Sequence, residues 1–125
     1  MKHTRAAGHR SFFKVLLDGD SAQAATMTLK PGQSSSDEVV NEHPRCEQWL
    51  YVLAGTGRAR VEKRSVTLKE GSLLLIEKGE AHRITNTGRK PLVTLNLYAP
   101  PAYTKAGDVK MLAKVPTLKA ALGVK

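Results

Sequence analysis

Apolar and polar residues alternate in short bursts along this chain, and Gly or Pro closes nearly every burst: Gly19, Pro31-Gly32, Pro44, Gly55, Gly57, Gly71, Gly79, Gly88, Pro91 and Pro100-Pro101. Short alternating segments between regular turn signals predict an all-β sandwich or barrel. The segments expected as strands are Ser11–Leu17, Ala24–Leu29, Gln48–Leu53, Arg58–Glu62, Ser65–Leu68, Leu73–Ile76, Ala81–Thr85 and Leu92–Leu97. Side chains alternate faces along a strand. Gln48, Leu50 and Val52 therefore share one face of the third segment, and Trp49, Tyr51 and Leu53 the other. Both faces are largely apolar. If one lines the barrel, something must cover the other, and a second copy of the chain in a homodimer is the expected cover, with the chain's own tails as the alternative. Only the end has a helical signature: Pro116, then Thr117–Leu122, then Gly123.

At 125 residues the chain is one domain, with a barrel core over about 11–100, a basic arm over 1–10 expected to be loose or borrowed by a partner, and a tail with the short helix over 101–125. Apolar residues make up 41% and charged ones 25%, which places it among ordinary globular domains. The run Leu73–Ile76 is too short to cross a bilayer, and Lys14 interrupts the apolar start Phe12-Phe13, so neither a membrane span nor a secretory signal is expected. A cytoplasmic protein is the default, and a lone cysteine, Cys46, agrees with a reducing compartment. The net charge of +9 invites a nucleic-acid reading, but its distribution argues against specific recognition. Lys2, Arg5, Arg10 and Lys14 precede any acid, and Lys105, Lys110, Lys114, Lys119 and Lys125 oppose only Asp108, while the stretch between is nearly neutral. Basic tails of this kind solubilise, or attract polyanions weakly and in a salt-dependent way.

Candidate chemistry centres on two histidines far apart in sequence, His43 before the third segment and His82 on the seventh; His3 and His9 fall in the arm and are expected to be solvated. Imidazole is the commonest metal ligand. The surrounding residues resemble the two cupin motifs. The first motif runs Gly, five residues, His-x-His, three or four residues, Glu, six residues, Gly. Here Asn41 takes the first-His position, His43 the second, Pro44 follows it, Gln48 takes the acidic position and Gly55 closes; Gly32 lies too far back for the opening glycine. The second motif runs Gly, five residues, Pro-x-Gly, two residues, His, three residues, Asn. Gly71, Gly79, His82 and Asn86 all fall at the required intervals, with Glu77 in place of the proline.

The resemblance implies a cupin-type double-stranded β-helix, a jelly-roll barrel, with metal ligands at its mouth: Asn41, His43, Gln48 and His82. The family's usual set is three imidazoles and a carboxylate; here one imidazole and the carboxylate are both replaced by neutral amides. Two His and Gln48 still make a facial set with open positions, suited to Fe, Ni, Mn, Co or Zn. Asn41 is the weakest member. Alternation turns Glu47 away from Gln48, and Glu42 outward if its segment is extended. Cys46 can serve a soft ion as thiolate or sit buried as a small apolar residue. The function this implies is a small cupin that binds one divalent ion and acts on a small organic molecule by dioxygenase, isomerase or lyase chemistry. The alternative is a non-catalytic module that binds or senses a sugar or other small molecule. Leu50 and Val52 would shape the pocket, Asn86 would tie down a turn, and Tyr98, Tyr103 and Arg60 are the acid–base candidates.

Overall fold

A computed structural model describes residues 1–104; the helix expected over 117–122 lies outside them. Eight strands follow in chain order: β1 Phe13–Asp18, β2 Gln23–Leu29, β3 Glu47–Ala54, β4 Gly57–Val61, β5 Arg64–Leu68, β6 Leu73–Ile76, β7 His82–Asn86 and β8 Leu92–Ala99. They form a five-stranded sheet ordered β1-β2-β8-β3-β6 and a three-stranded sheet ordered β5-β4-β7. Segment 33–40 extends the smaller sheet through bridges from Ser34 to Thr85 and from Val40 to His82. All the named pairings are antiparallel. Each expected strand exists, with ends moved by one or two residues, and the architecture is the expected jelly roll.

Alternation decides what faces inward. On β3, Gln48, Leu50 and Val52 are buried, and on β7 so are His82, Ile84 and Asn86. Cross-strand partners place these residues in layers along the barrel. At one end lie Leu29, Leu92, Val52, Ala59, Leu68 and Ile84, a wholly apolar plug. At the other, Gln23 pairs with Tyr98 and Tyr98 with Gln48, so the inward layer there is polar. The mouth is therefore polar and the floor apolar, which is the asymmetry a site requires.

Glycine fixes the turn that follows the first motif. Gly55 has a φ of +92°, and a Cβ there would stand 2.4 Å from the carbonyl oxygen of Pro91. Both the left-handed backbone and the close approach exclude any other residue. The turn of the second motif forms without its proline: Gly79 has a φ of +87°, and Glu80 accepts from Glu77 N–H through its side chain while donating its own N–H to Glu77 O.

The basic arm is tied down. Lys2 Nζ donates to Asp18 O at 2.7 Å, and Thr28 Oγ1 donates to His9 O at 3.3 Å. It leaves the outer face of the larger sheet open, where Trp49 keeps 39% of its surface exposed, Tyr51 41%, Leu97 43% and Leu73 67%. No helix among the described residues is long and apolar enough to cross a membrane.

Asn86 anchors the barrel wall through three hydrogen bonds. Its Nδ2 donates to Leu29 O at 2.9 Å and Lys90 O at 2.8 Å, and its Oδ1 accepts from Gly88 N–H at 2.8 Å. Three buried or half-buried bonds on one side chain are worth about 1 kcal/mol each, and losing them removes a donor from the buried Leu29 carbonyl. Asn86→Ala should therefore cost about 3 kcal/mol in urea unfolding; a loss below about 1 kcal/mol would contradict this role.

Candidate metal centre

His43 reaches the mouth from a turn, not from a strand. Asn41 Oδ1 accepts from the His43 N–H at 2.9 Å, and Cys46 N–H donates to His43 O at 3.0 Å. Short-range side-chain bonds of this kind are how Asn sets a turn. They aim the imidazole down into the barrel. Gln48 is the second residue of β3 and faces inward beside it. His82 opens β7 and is held on both sides of its backbone by Val40, at 3.2 and 2.8 Å.

These three converge. The rings of His43 and His82 lie 5.0 Å apart between centroids, tilted by 43°. His43 Nε2 is 2.9 Å from Gln48 Oε1. His82 Nδ1–H donates to Glu80 O at 3.0 Å, which leaves Nε2 with its lone pair free of that bond. A backbone acceptor on one imidazole nitrogen is the usual way a metal-binding histidine has its other nitrogen fixed. Asn41 does not join them, because its oxygen is spent on the turn.

Gln48 is oriented from the barrel interior. Thr94 Oγ1 donates to Met27 O at 3.2 Å, Asn96 Nδ2 donates to Thr94 Oγ1 at 3.0 Å, and Gln48 Nε2 donates to Asn96 Oδ1 at 2.8 Å. The chain runs in one direction, each amide nitrogen donating to the next oxygen inward until the Met27 carbonyl is reached. In this direction Gln48 presents its oxygen to His43. His43 Nε2–H then donates to it, and His43 Nδ1 is left buried without a hydrogen-bond partner.

Do these donors fit an ion? Two atoms bound cis at about 2.1 Å each stand about 3 Å apart, and two imidazoles on one ion put their centroids about 4.5–5.5 Å apart. The observed 2.9 Å and 5.0 Å meet both conditions. The charge is less favourable: among the described residues no three of His, Cys, Asp and Glu cluster around a common point. The set is two nitrogens and one neutral oxygen, a fit for borderline ions.

Burial keeps both rings neutral. It pushes the His43 pKa down from 6.5 to about 4, helped by the nearness of His82 and opposed by the Gln48 bond and nearby backbone. Burial likewise lowers His82, opposed by the carbonyl and carboxylate of Glu80. Tyr98 and Tyr103 close the site from the other side, their rings edge-on to His43 at 5.0 and 6.0 Å. Burial raises both phenols far above their usual value, Glu42 adds to the effect, and the two hydroxyls share a hydrogen bond. They act as neutral donors.

The cavity among these groups has a volume of about 30 Å³, room for about two waters. Its wall holds Met27 and Ile84 as apolar contacts and Ser35, Ser36 and Glu42 at the opening. Leu50 and Val52 lie deeper, in the plug. Glu42 was expected to point outward, but the segment is a turn instead of a strand, and it lines the opening. Arg60, another acid–base candidate, is exposed on β4, its Nε donating to Glu62 O at 3.0 Å, away from the cavity. Cys46 is buried against Ala25, Tyr98, Ala102 and Tyr103, outside the cavity wall.

With this geometry in view, comparison with known proteins settles the class. The cupin domain family model matches residues 25–98. The chain belongs to the cupin family. It is 37% identical to a mannose-1-phosphate guanylyltransferase of Klebsiella pneumoniae over 71 residues, covering 57% of this chain and 14% of that protein. It is 28% identical to the uncharacterised protein YrkC of Bacillus subtilis over 101 residues, 76% of this chain and 53% of that one. The chain thus spans a small part to about half the length of these curated relatives. A solved structure from Bacillus halodurans superposes with a TM-score of 0.75 at 27% identity, covering 83% of this chain and 80% of that one. A Thermotoga maritima structure described as a predicted oxalate decarboxylase gives 0.62 at 27% identity, covering 70% and 77%.

The lowered His43 pKa has a consequence for stability. Between about pH 6.5 and 4 the unfolded chain holds a proton on this ring and the folded barrel does not. Stability is therefore at its full value above pH 6.5 and falls as the pH drops through that window, by about 3 kcal/mol for this group, with His82 acting in the same direction. Urea unfolding at pH 7 and pH 4.5, in chelator, should show this slope in the wild type and a flatter one in His43→Leu. Equal slopes would contradict a buried neutral ring.

Proposed function

We propose that this cupin holds one divalent ion of the Fe, Ni, Mn, Co or Zn class between His43, Gln48 and His82, and acts on a small, oxygen-rich organic molecule. The observation that carries the reading is the convergence of two neutral imidazoles and a pre-aimed amide oxygen on one point. When bound, the ion supplies Lewis-acid polarisation of a substrate oxygen. The chain supplies the rest. His43 and His82 are neutral at neutral pH: His82 keeps the Nε2 lone pair, and His43 would offer Nε2 with its proton moved to Nδ1, the buried atom without a hydrogen-bond partner. Tyr98 and Tyr103 share one hydrogen bond, so the pair has one hydroxyl hydrogen left for an oxygen lying between them and the imidazoles. Glu42, at the opening, disfavours a second negative charge there. The relatives named for a sugar phosphate and for oxalate support a polar, oxygen-rich substrate, and the chemistry we propose is of the dioxygenase, isomerase or lyase type.

A non-catalytic binding module is the second reading, and the neutral donor set favours it. Metal content separates the two from the start. The protein, purified without chelator and loaded with Ni(II), Co(II) or Zn(II), should hold one ion per chain. His43→Ala and His82→Ala should each weaken binding by at least about a hundredfold. Gln48→Glu should bind more tightly while being less stable without metal, because its carboxylate confronts the Asn96 oxygen. A wild type that stays below about a tenth of an ion per chain after loading sinks the metal site.

The face of Trp49, Tyr51, Leu73 and Leu97, exposed among the described residues, supports a homodimer, since a second copy offers the same apolar surface in a two-fold arrangement. Trp49→Glu should convert a dimer to a monomer in light scattering. A wild type monomeric at 100 micromolar, in the micromolar to millimolar range where weak dimers form, would reject it.

A further inference from the structure

Gln23, the first residue of β2, is 1% exposed. Its amide oxygen accepts from the backbone N–H of Ala102 at 3.2 Å and of Tyr103 at 3.1 Å. Its amide nitrogen donates to Tyr103 O at 2.6 Å and to Asp18 Oδ1 at 3.3 Å. One buried side chain thus makes three bonds to the backbone of two residues about 80 positions away, satisfying groups that would otherwise be buried without partners. The residues it grips follow the end of β8 and cross the barrel mouth. The Tyr103 ring lies 4.7 Å from Phe13 and 5.0 Å from Tyr98, and closes one side of the cavity.

The opening beside Ser36 and Glu42 and the volume of about 30 Å³ suit an ion or water. An organic molecule of more than two or three heavy atoms does not fit. Something must lift, and the wall offers unequal choices. β2, β3, β7 and β8 are fixed by continuous ladders. Segment 100–104 is a single crossing stretch of chain outside the named strands, held by the Gln23 amide, by the hydrogen bond between the Tyr103 and Tyr98 hydroxyls, and by the packing of Ala102 and Tyr103, among other contacts. Elements with few backbone bonds to their neighbours are the ones that open below the cost of global unfolding.

We propose that residues 100–104 form a strap over the site, with Gln23 as its latch, and that the strap lifts as a local unit to admit ligands larger than an ion and its water. The strap swings from the end of β8 and carries Tyr103 with it. Lifting widens the cavity toward Tyr98 and exposes Cys46, which shares a buried cluster with Ala102 and Tyr103 and has 1% of its surface accessible. Nothing in this motion requires a bound ion.

Cys46 is the chain's lone thiol and a built-in reporter. The test is native-state labelling with iodoacetamide on the metal-free full chain, followed by mass spectrometry across low urea concentrations. A local opening exposes little surface, so the wild-type labelling rate should be nearly independent of urea well below the unfolding midpoint. Gln23→Leu, similar in size but without the three bonds, should label about a hundredfold faster, each lost bond contributing roughly a factor of five. Two results overturn the proposal. One is a wild-type rate that climbs with urea as steeply as global unfolding, which decides the matter even if Gln23→Leu fails to fold. The other is a folded Gln23→Leu that labels no faster than wild type. Metal loading plays no part in either readout, so failure of the metal reading leaves this test intact.

Discussion

The Met27 carbonyl, deep in the barrel, can only accept a hydrogen bond, and that restriction passes outward through three side chains to a fourth. Thr94 must donate to it, Asn96 must donate to Thr94, Gln48 must donate to Asn96, and the Gln48 oxygen is left to face His43. Reversing one amide alone would place two oxygens or two N–H groups together in a buried setting, where an unmade bond costs more than a made one contributes. A polar chain crossing an apolar barrel is tolerated only because every link in it is satisfied. The site at the mouth inherits its orientation from this chain.

The same burial that makes the chain rigid sets the electrostatics of its end. Desolvation holds both imidazoles neutral and both phenols protonated, so the mouth presents lone pairs on one side and hydroxyl donors on the other. Gln23 repeats the logic at the rim. A buried amide is again fully used, this time to pin backbone crossing the opening instead of to aim a donor. Two glutamines in one inward layer thus divide the work of building the site and closing it.

The parts of this arrangement that rest on local pattern were legible in the sequence. Alternation grouped Gln48, Leu50 and Val52 on one face of β3, and the fixed spacing from Gly71 to Asn86 located His82 and its turn even without the proline. What depends on contacts remote in the chain was not legible. Along β8 the sequence Val93-Thr94-Leu95-Asn96-Leu97 alternates, but hydrophobicity suggests the wrong face: the polar Thr94 and Asn96 point inward, and Leu97 points out. Periodicity separates two faces without saying which is inside, and here the outer face of the larger sheet is apolar too. Glu42 was misplaced because a strand rule was extended into a turn built by Asn41. The grip of Gln23 on Tyr103 joins residues about 80 positions apart, with no local signal at either end.

The amide at position 48 follows from the chain behind it. A glutamate there would bring the charge attraction that the family's usual ligand set contains, but its second oxygen would meet the Asn96 oxygen at 2.8 Å. Asn96 could turn over to donate, and Thr94 could then donate back to it, but only by abandoning the Met27 carbonyl, which would lose that donor in the core. Gln48, Asn96 and Thr94 therefore form a matched set, and charge at the site has been exchanged for orientation. An ion held here would be bound by geometry more than by Coulomb attraction, which favours ions that prefer imidazole nitrogen over those that demand carboxylate oxygen. The hard, oxygen-seeking ions Mg and Ca are the ones such a mouth should discriminate against, and the bias is set by a carbonyl that never touches the site.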